Sequence, residues 1–155
     1  FLISCVYFNF VIGIVYQNID SPTNPVRFTQ RILKAYVEAS QQSIEAKASI
    51  MLEHFIDNVV NKKKLKGIAK AMVATQSIES AIRYYLSIKK LLEQKGNPFN
   101  IMIAFSGEKE VDGQTYTEES LNGFSESKTK DHFDLDENRI LVVANKYLTG
   151  FVSQS

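Results

Sequence analysis

Apolar positions change their period several times along the chain. Residues 1–16, "FLISCVYFNFVIGIVY", are apolar almost without interruption. The stretch is rich in β-branched and aromatic side chains, which suit buried strands or a segment covering a core, with Gly13 as a bend. "SPTNP" at 21–25 breaks the run with two prolines. Beyond it, Ile32 and Tyr36, then Ile44, Ala48, Met51 or Leu52, Phe55 and Val59, recur at spacings of three and four, the signature of an amphipathic helix. The polar "EASQQS" at 38–43 is expected to divide this region into two helices. "NKKKLKG" at 61–67 is read as a basic last turn closing on Gly67, where cations complement the helix dipole. Its plainest role is a solvated helix end.

The pattern then shortens. "AKAMVAT" (69–75) has strand character. Ile78, Ala81, Ile82, Tyr85, Ile88 and Leu92 define one face of a helix over 77–96, with Ser77 as N-cap and Gly96 at its end. "FNIMIAFSG" (99–107) is a second strand ending in Ser-Gly. "EVDGQTY" (110–116) carries an Asp-Gly hairpin signal. "SESKTKDHFD" (125–134) reads as a short helix, and "DLDE" (134–137) as a solvated acidic turn. "RILVVA" (139–144) is a third strand. Strand, helix, strand, insert, helix, strand predicts an α/β fold: a three-layer parallel sheet flanked by helices and preceded by a helical segment. The strands are apolar on both faces, as burial under two helical layers requires.

Composition narrows the options modestly. The 155 residues are 45% hydrophobic and 23% charged, enough for one core. Eighteen basic and 17 acidic side chains give a net charge of +1, which neither points to nucleic acid nor excludes a local basic groove. One cysteine, Cys5, rules out an internal disulfide framework and fits a reducing compartment. His54 and His132 stand far apart with no further cysteine in support, so a His/Cys zinc site is not expected. The apolar lead-in falls short of the roughly 20 residues of a spanning helix. It also lacks a basic n-region, so neither a membrane nor a signal role is expected. Because the first residue is Phe, the chain is expected to be a piece of a longer protein.

In open α/β sheets, ligands bind beyond the C-terminal ends of the strands. Three such exits carry small polar residues: Thr75-Gln76-Ser77, Ser106-Gly107, and Asn145 to Gly150. Hydroxyls and free backbone N–H groups there suit phosphate oxygens, although strand-to-helix turns need caps and glycines for structural reasons as well. No GxxxxGK[ST] or GxGxxG loop is present. No Ser/His/Asp or Cys/His arrangement follows from spacing. The chain alone is expected to catalyse nothing.

Taken together, "KAMVAT…ESAIRYY", "IAFSGE…VDGQTYTEESLNGF", "ESKTKDHFD" and "RILVVANKYLTGF" resemble the second RecA-like motor domain of type I restriction enzyme R subunits. These are ATP-driven superfamily-2 DNA translocases with a nuclease domain elsewhere in the chain. The resemblance covers about residues 27–151, and residues 1–20 match less well. It implies a division into a lead-in (1–26), a helical segment (27–66) and a RecA-like lobe (67–155).

The resemblance also implies that "KAMVAT" through Ser77 corresponds to helicase motif IV and "ILVVANKYLTGF" to motif V. The DNA-backbone contacts would then fall on Thr75, Ser77, Ser106, Gly107, Asn145, Lys146, Thr149 and Gly150. Such contacts ignore base identity, as a translocase requires. ATP and Mg2+ would serve the parent protein, with none held by this chain alone. Implied partners are double-stranded DNA, the first RecA-like lobe, and the methylation and specificity subunits, in the cytoplasm and away from membranes.

The chain departs from the family at three places. Ile78 stands where Arg is common, Leu148 where Gln is usual, and Val152 at the Asp on the nucleotide-cleft side of motif V. A degenerate copy of such a gene, or an α/β interaction domain without motor function, is the alternative.

Overall fold

A computed structural model describes residues 4–5 and 25–144, with side chains from residue 40 onward. The elements are β1 (Ser4–Cys5), α1 (Pro25–Phe55), β2 (Ala71–Thr75), α2 (Ile78–Gln94), β3 (Asn100–Ala104), β4 (Glu108–Val111), β5 (Gln114–Thr117), α3 (Glu118–Asn122), α4 (Thr129–Asp134) and β6 (Asn138–Ala144). The main sheet has the order β1-β2-β6-β3 with every pair parallel. β4 and β5 form a separate antiparallel hairpin. The fold is therefore mixed α/β, with a small parallel sheet flanked by helices.

β6 is central, and all seven of its residues are buried. Its alternation sends Ile140, Val142 and Ala144 to one face and Leu141 and Val143 to the other. The first face meets α2 through Ala81, Ile82, Tyr85 and Ile88, and the second half of α1 through Ala48, Leu52 and Phe55. The second face packs with Met72, Met102, Ala104 and Phe133 of α4. Phe55 and Phe99 meet edge to face at 5.5 Å, closing the base of the α1 contact.

The helical face read for α2 is the buried one, although Ile78 is only partly covered. Ser77 caps it by accepting a hydrogen bond from the Ser80 N–H at 3.1 Å. The hairpin is also as expected: Asp112 and Gly113 both have positive φ (52° and 79°), the requirement of a type I′ turn. The acidic 134–137 stretch is exposed and joins α4 to β6.

Two expectations are corrected. α1 is one helix of 31 residues, not two. Residues 38–43 contain neither Gly nor Pro, and Glu, Ala and Gln are good helix formers, so the stretch is only a polar turn of a continuous helix. Gln41 puts it to use, donating to Glu45 one turn on and accepting from Arg83 of α2.

Gly67, expected to close this helix, does not cap it. α1 passes into a π-helical turn at Ile56–Val60 and is capped at Asn61, whose N–H reaches the Ile56 carbonyl at 2.8 Å. Beyond it Lys63, Leu65 and Lys66 take positive φ of 47°, 50° and 57°. For non-glycine residues this costs about 1–3 kcal/mol each. The expected strand-like role of residues 1–16 falls outside the described residues except at Ser4 and Cys5, which pair with Ala71 and Met72.

Tyr85 has a measurable consequence for stability. Its ring is buried and its hydroxyl donates to the Leu121 carbonyl at 2.8 Å. Burial, with a smaller contribution from Glu93, pushes the phenol from 10.0 up to about 12. The folded state therefore holds this proton more tightly than the unfolded chain. The associated stability is complete below about pH 10 and is lost as pH rises through about 12, on the order of 2–3 kcal/mol. Urea midpoints measured across that window should fall more steeply for the wild type than for Tyr85→Phe. Identical slopes would disprove the assignment.

Candidate nucleic-acid interface at the sheet edge

Parallel strands in near-level register end together. Thr75 pairs with Ala144, and Ala104 with Val143, so β2, β6 and β3 release their chains at one edge. Neighbouring strands lie about 4.8 Å apart, which puts the β2 and β3 exits roughly 10 Å from each other on either side of β6. The sheet thus brings Thr75, Ser77, Ser106 and Gly107 to a common edge around the end of β6. Asn145, Lys146, Thr149 and Gly150, which follow β6, lie outside the described residues.

The four described candidates are not equally available. The Thr75 hydroxyl has one proton, and both the Ser77 and Val143 carbonyls lie 3.0 Å from it as acceptors. It ties the end of β2 to that of β6 and is buried. Ser77 is exposed, but its oxygen accepts from Ser80 N–H and its hydroxyl donates to Ser80 Oγ at 3.0 Å. Ser106 and Gly107 are exposed, and the Ser106 hydroxyl has no hydrogen-bond partner among the described residues. Gly107 has φ +82° with open space where a side chain would stand, so the backbone there is accessible and tolerates no ordinary replacement without strain.

The β3 exit is held by groups that sequence reasoning did not single out. Glu118 is 2% exposed. Its Oε2 accepts from the Phe105 N–H at 2.9 Å, and its Oε1 accepts from the Thr129 hydroxyl. One carboxylate thus joins β3, the start of α3 and the start of α4 just before Ser106. Asn122 works alongside it: its amide oxygen accepts from Ile103 N–H at 3.0 Å, and its amide nitrogen donates to Ile103 C=O at 2.7 Å. α3 begins with a capping box in which Thr117 and Ser120 exchange side-chain-to-backbone bonds, and this Thr-x-x-Ser spacing is visible in the sequence.

Arg83, which carries no sequence motif, also shapes this side of the molecule. Its guanidinium meets both Asp112 oxygens at 3.0 Å and Glu79 at 3.2 Å, clamping the hairpin tip to α2. The hydrogen bonds to Asp112 raise its pKa above the ordinary value. It is therefore already paired, and the one cation among the interface candidates is Lys146.

Chemically, the described part of this edge offers a free hydroxyl and accessible backbone, a set suited to polar contact with an anion but not to covalent catalysis. Among the described residues, no group of three or more His, Cys, Asp or Glu side chains is placed to hold a metal ion. No described helix is long and apolar enough to cross a membrane. Comparisons with protein-family models, with curated proteins and with solved structures return no match.

Proposed function

We propose that this chain is part of the second RecA-like lobe of a type I restriction motor subunit, contributing DNA-backbone contacts and one wall of an ATP cleft. The observation that carries the reading is the run from Leu121 to Phe151, "LNGF…ESKTK…F…D…RILVVANKYLTGF". Convergence of the strand exits supports it, because a backbone-tracking surface needs several polar groups on one edge. Ser106 and Gly107 would contact DNA from β3, and Asn145, Lys146, Thr149 and Gly150 from the segment after β6. In the parent, ATP and Mg2+ would sit between this lobe and the first one, with methylation and specificity subunits completing the complex. Phosphoryl-transfer motors need groups from both sides of the cleft, so the chain alone is not assigned hydrolysis.

A non-catalytic α/β interaction domain is the second reading. It is favoured by the internal use of the Thr75 and Ser77 hydroxyls and by Ile78, Leu148 and Val152 at positions where the family carries polar groups. Duplex binding at low salt separates the two. The motor reading expects weak, salt-dependent binding that Lys146→Ala reduces, together with no DNA-stimulated ATP turnover. Absence of binding at low salt sinks it in favour of the interaction domain. Robust turnover would refute the assignment of a non-catalytic lobe.

A further inference from the structure

Residues 63–66 form a strained, lysine-bearing loop at the opposite end of the sheet. Lys63, Leu65 and Lys66 are left-handed within four residues, and Gly67 follows at φ 85°. Such backbone persists where the surroundings over-determine it. Here the surroundings include Arg139, the second residue of the central strand. Its Nε donates to the Ala69 carbonyl at 2.7 Å, and its Nη1 to the Gly67 carbonyl at 2.5 Å. Arg139 is 8% exposed, and its Nη2 is buried with no hydrogen-bond partner among the described residues. An orphaned buried guanidinium nitrogen is itself unfavourable. Left-handed backbone and the two Arg139 hydrogen bonds thus meet at one short loop.

That loop displays charge. Lys63, Lys64 and Lys66 are exposed, and none has a carboxylate partner among the described residues. Lys62 alone in the run is engaged, donating to Asn58 at 2.8 Å. The nearby carboxylates of Asp134, Asp136 and Glu137 act on Lys70, and Asp136 also on Arg139. Lys70 is in addition hydrogen-bonded to the Phe133 and Leu135 carbonyls.

We infer that the Lys63–Lys66 loop, whose exit at Gly67 and Ala69 is held by Arg139, is a contact for the phosphate backbone of a nucleic-acid duplex. A duplex is a stiff polyanion with a charge about every 1.7 Å of its axis, so exposed cations without carboxylate partners, grouped on one short turn, complement it. Stable attachment to a lipid surface calls for apolar insertion beside the basic groups. The exposed apolar groups here, Leu65 at 50% and Ile68 at 48%, are too few for interfacial insertion. β2 spans roughly 16 Å, so this surface and the C-terminal edge would meet different stretches of DNA. The inference rests on the proposed function in that both place duplex DNA on this chain, but it concerns a second surface that Lys146→Ala leaves intact.

The test is fluorescence anisotropy of the 155-residue chain on a duplex of about 30 base pairs, from about 25 to about 200 mM salt. The triple variant Lys63→Ala, Lys64→Ala, Lys66→Ala should keep its melting temperature, because these side chains are solvated. It should lower the log–log salt slope by about 2.7, three phosphates at about 0.9 each. Lys146→Ala should lower it by only about 0.9 if the C-terminal edge binds as well. Arg139→Met keeps all three lysines, and should weaken binding several-fold while leaving the slope near wild type.

An unchanged slope in the triple variant overturns the loop proposal, whatever Lys146→Ala does. A slope lowered by the triple variant but not by Lys146→Ala upholds the loop and removes Lys146 from the edge. If the triple variant loses binding to phosphatidylserine vesicles while keeping its duplex slope, the surface is for lipid and the proposal fails.

Discussion

Phe105→Ala should destabilise the fold by about 3–5 kcal/mol, seen as a lower urea midpoint at unchanged denaturant slope. The ring is fully buried, in a cluster with Ala81, Ile82, Tyr85, Ile103, Val111, Val142 and Ala144. These neighbours come from α2, β3, the hairpin and β6, so no single element can move in to fill the space. A poorly collapsing cavity puts the cost at the upper end of the range for such truncations. The effect should also reach the interface, since Phe105 directly precedes Ser106. A loss below about 1 kcal/mol would mean that the corner repacks freely and that the β3 exit is not rigid.

Glu118→Leu should cost about 2–4 kcal/mol by a different route. Leucine has a similar reach but no acceptors. The buried Phe105 N–H and Thr129 hydroxyl would both lose their partner, and stranded donors cost more than the net worth of the bonds removed. Thr129 is fully buried, so water cannot easily take the place of the carboxylate. A double-mutant cycle with Thr129→Val separates the contributions, because the second substitution removes one stranded donor. The pair should be less destabilised than the sum of the singles by about 1 kcal/mol or more. Strict additivity would show that the two side chains do not act as a unit.

Where the sequence was informative, local chemistry coincided with the fold. Ser77 followed by an apolar face at helical spacing could only be the start of α2, and Asp112-Gly113 between extended arms could only be a hairpin. The unbroken apolar run from Ile140 to Ala144 marked a strand covered on both sides. Polarity at 38–43 suggests a break in α1 but does not enforce one, because the stretch holds no Gly or Pro and its Glu, Ala and Gln favour helix.

Glu118 and Asn122 were illegible for another reason. Their partners lie 11 to 19 residues away and exist only once α3 has folded back along β3. Arg139 was hidden similarly: at the head of an apolar strand it looks like a solvated flank, and only the path of 67–69 encloses it. Of the candidate interface, the level ending of the strands followed from strand grammar. That Thr75 and Ser77 are already bonded internally did not, because a hydroxyl's partners are set by the tertiary path.

Asn122 also bears on how the molecule keeps to itself. Among the described residues β3 is the outer strand of the sheet, and its outward-facing peptide groups would otherwise be a template for the strand of a second chain. A primary amide carries the same donor and acceptor as a peptide unit. By bonding both groups of Ile103 it stands in for a neighbouring strand that ends after one residue. With Glu118 taking the next outward N–H at Phe105, this stretch of the border is closed to growth by two side chains and no additional backbone.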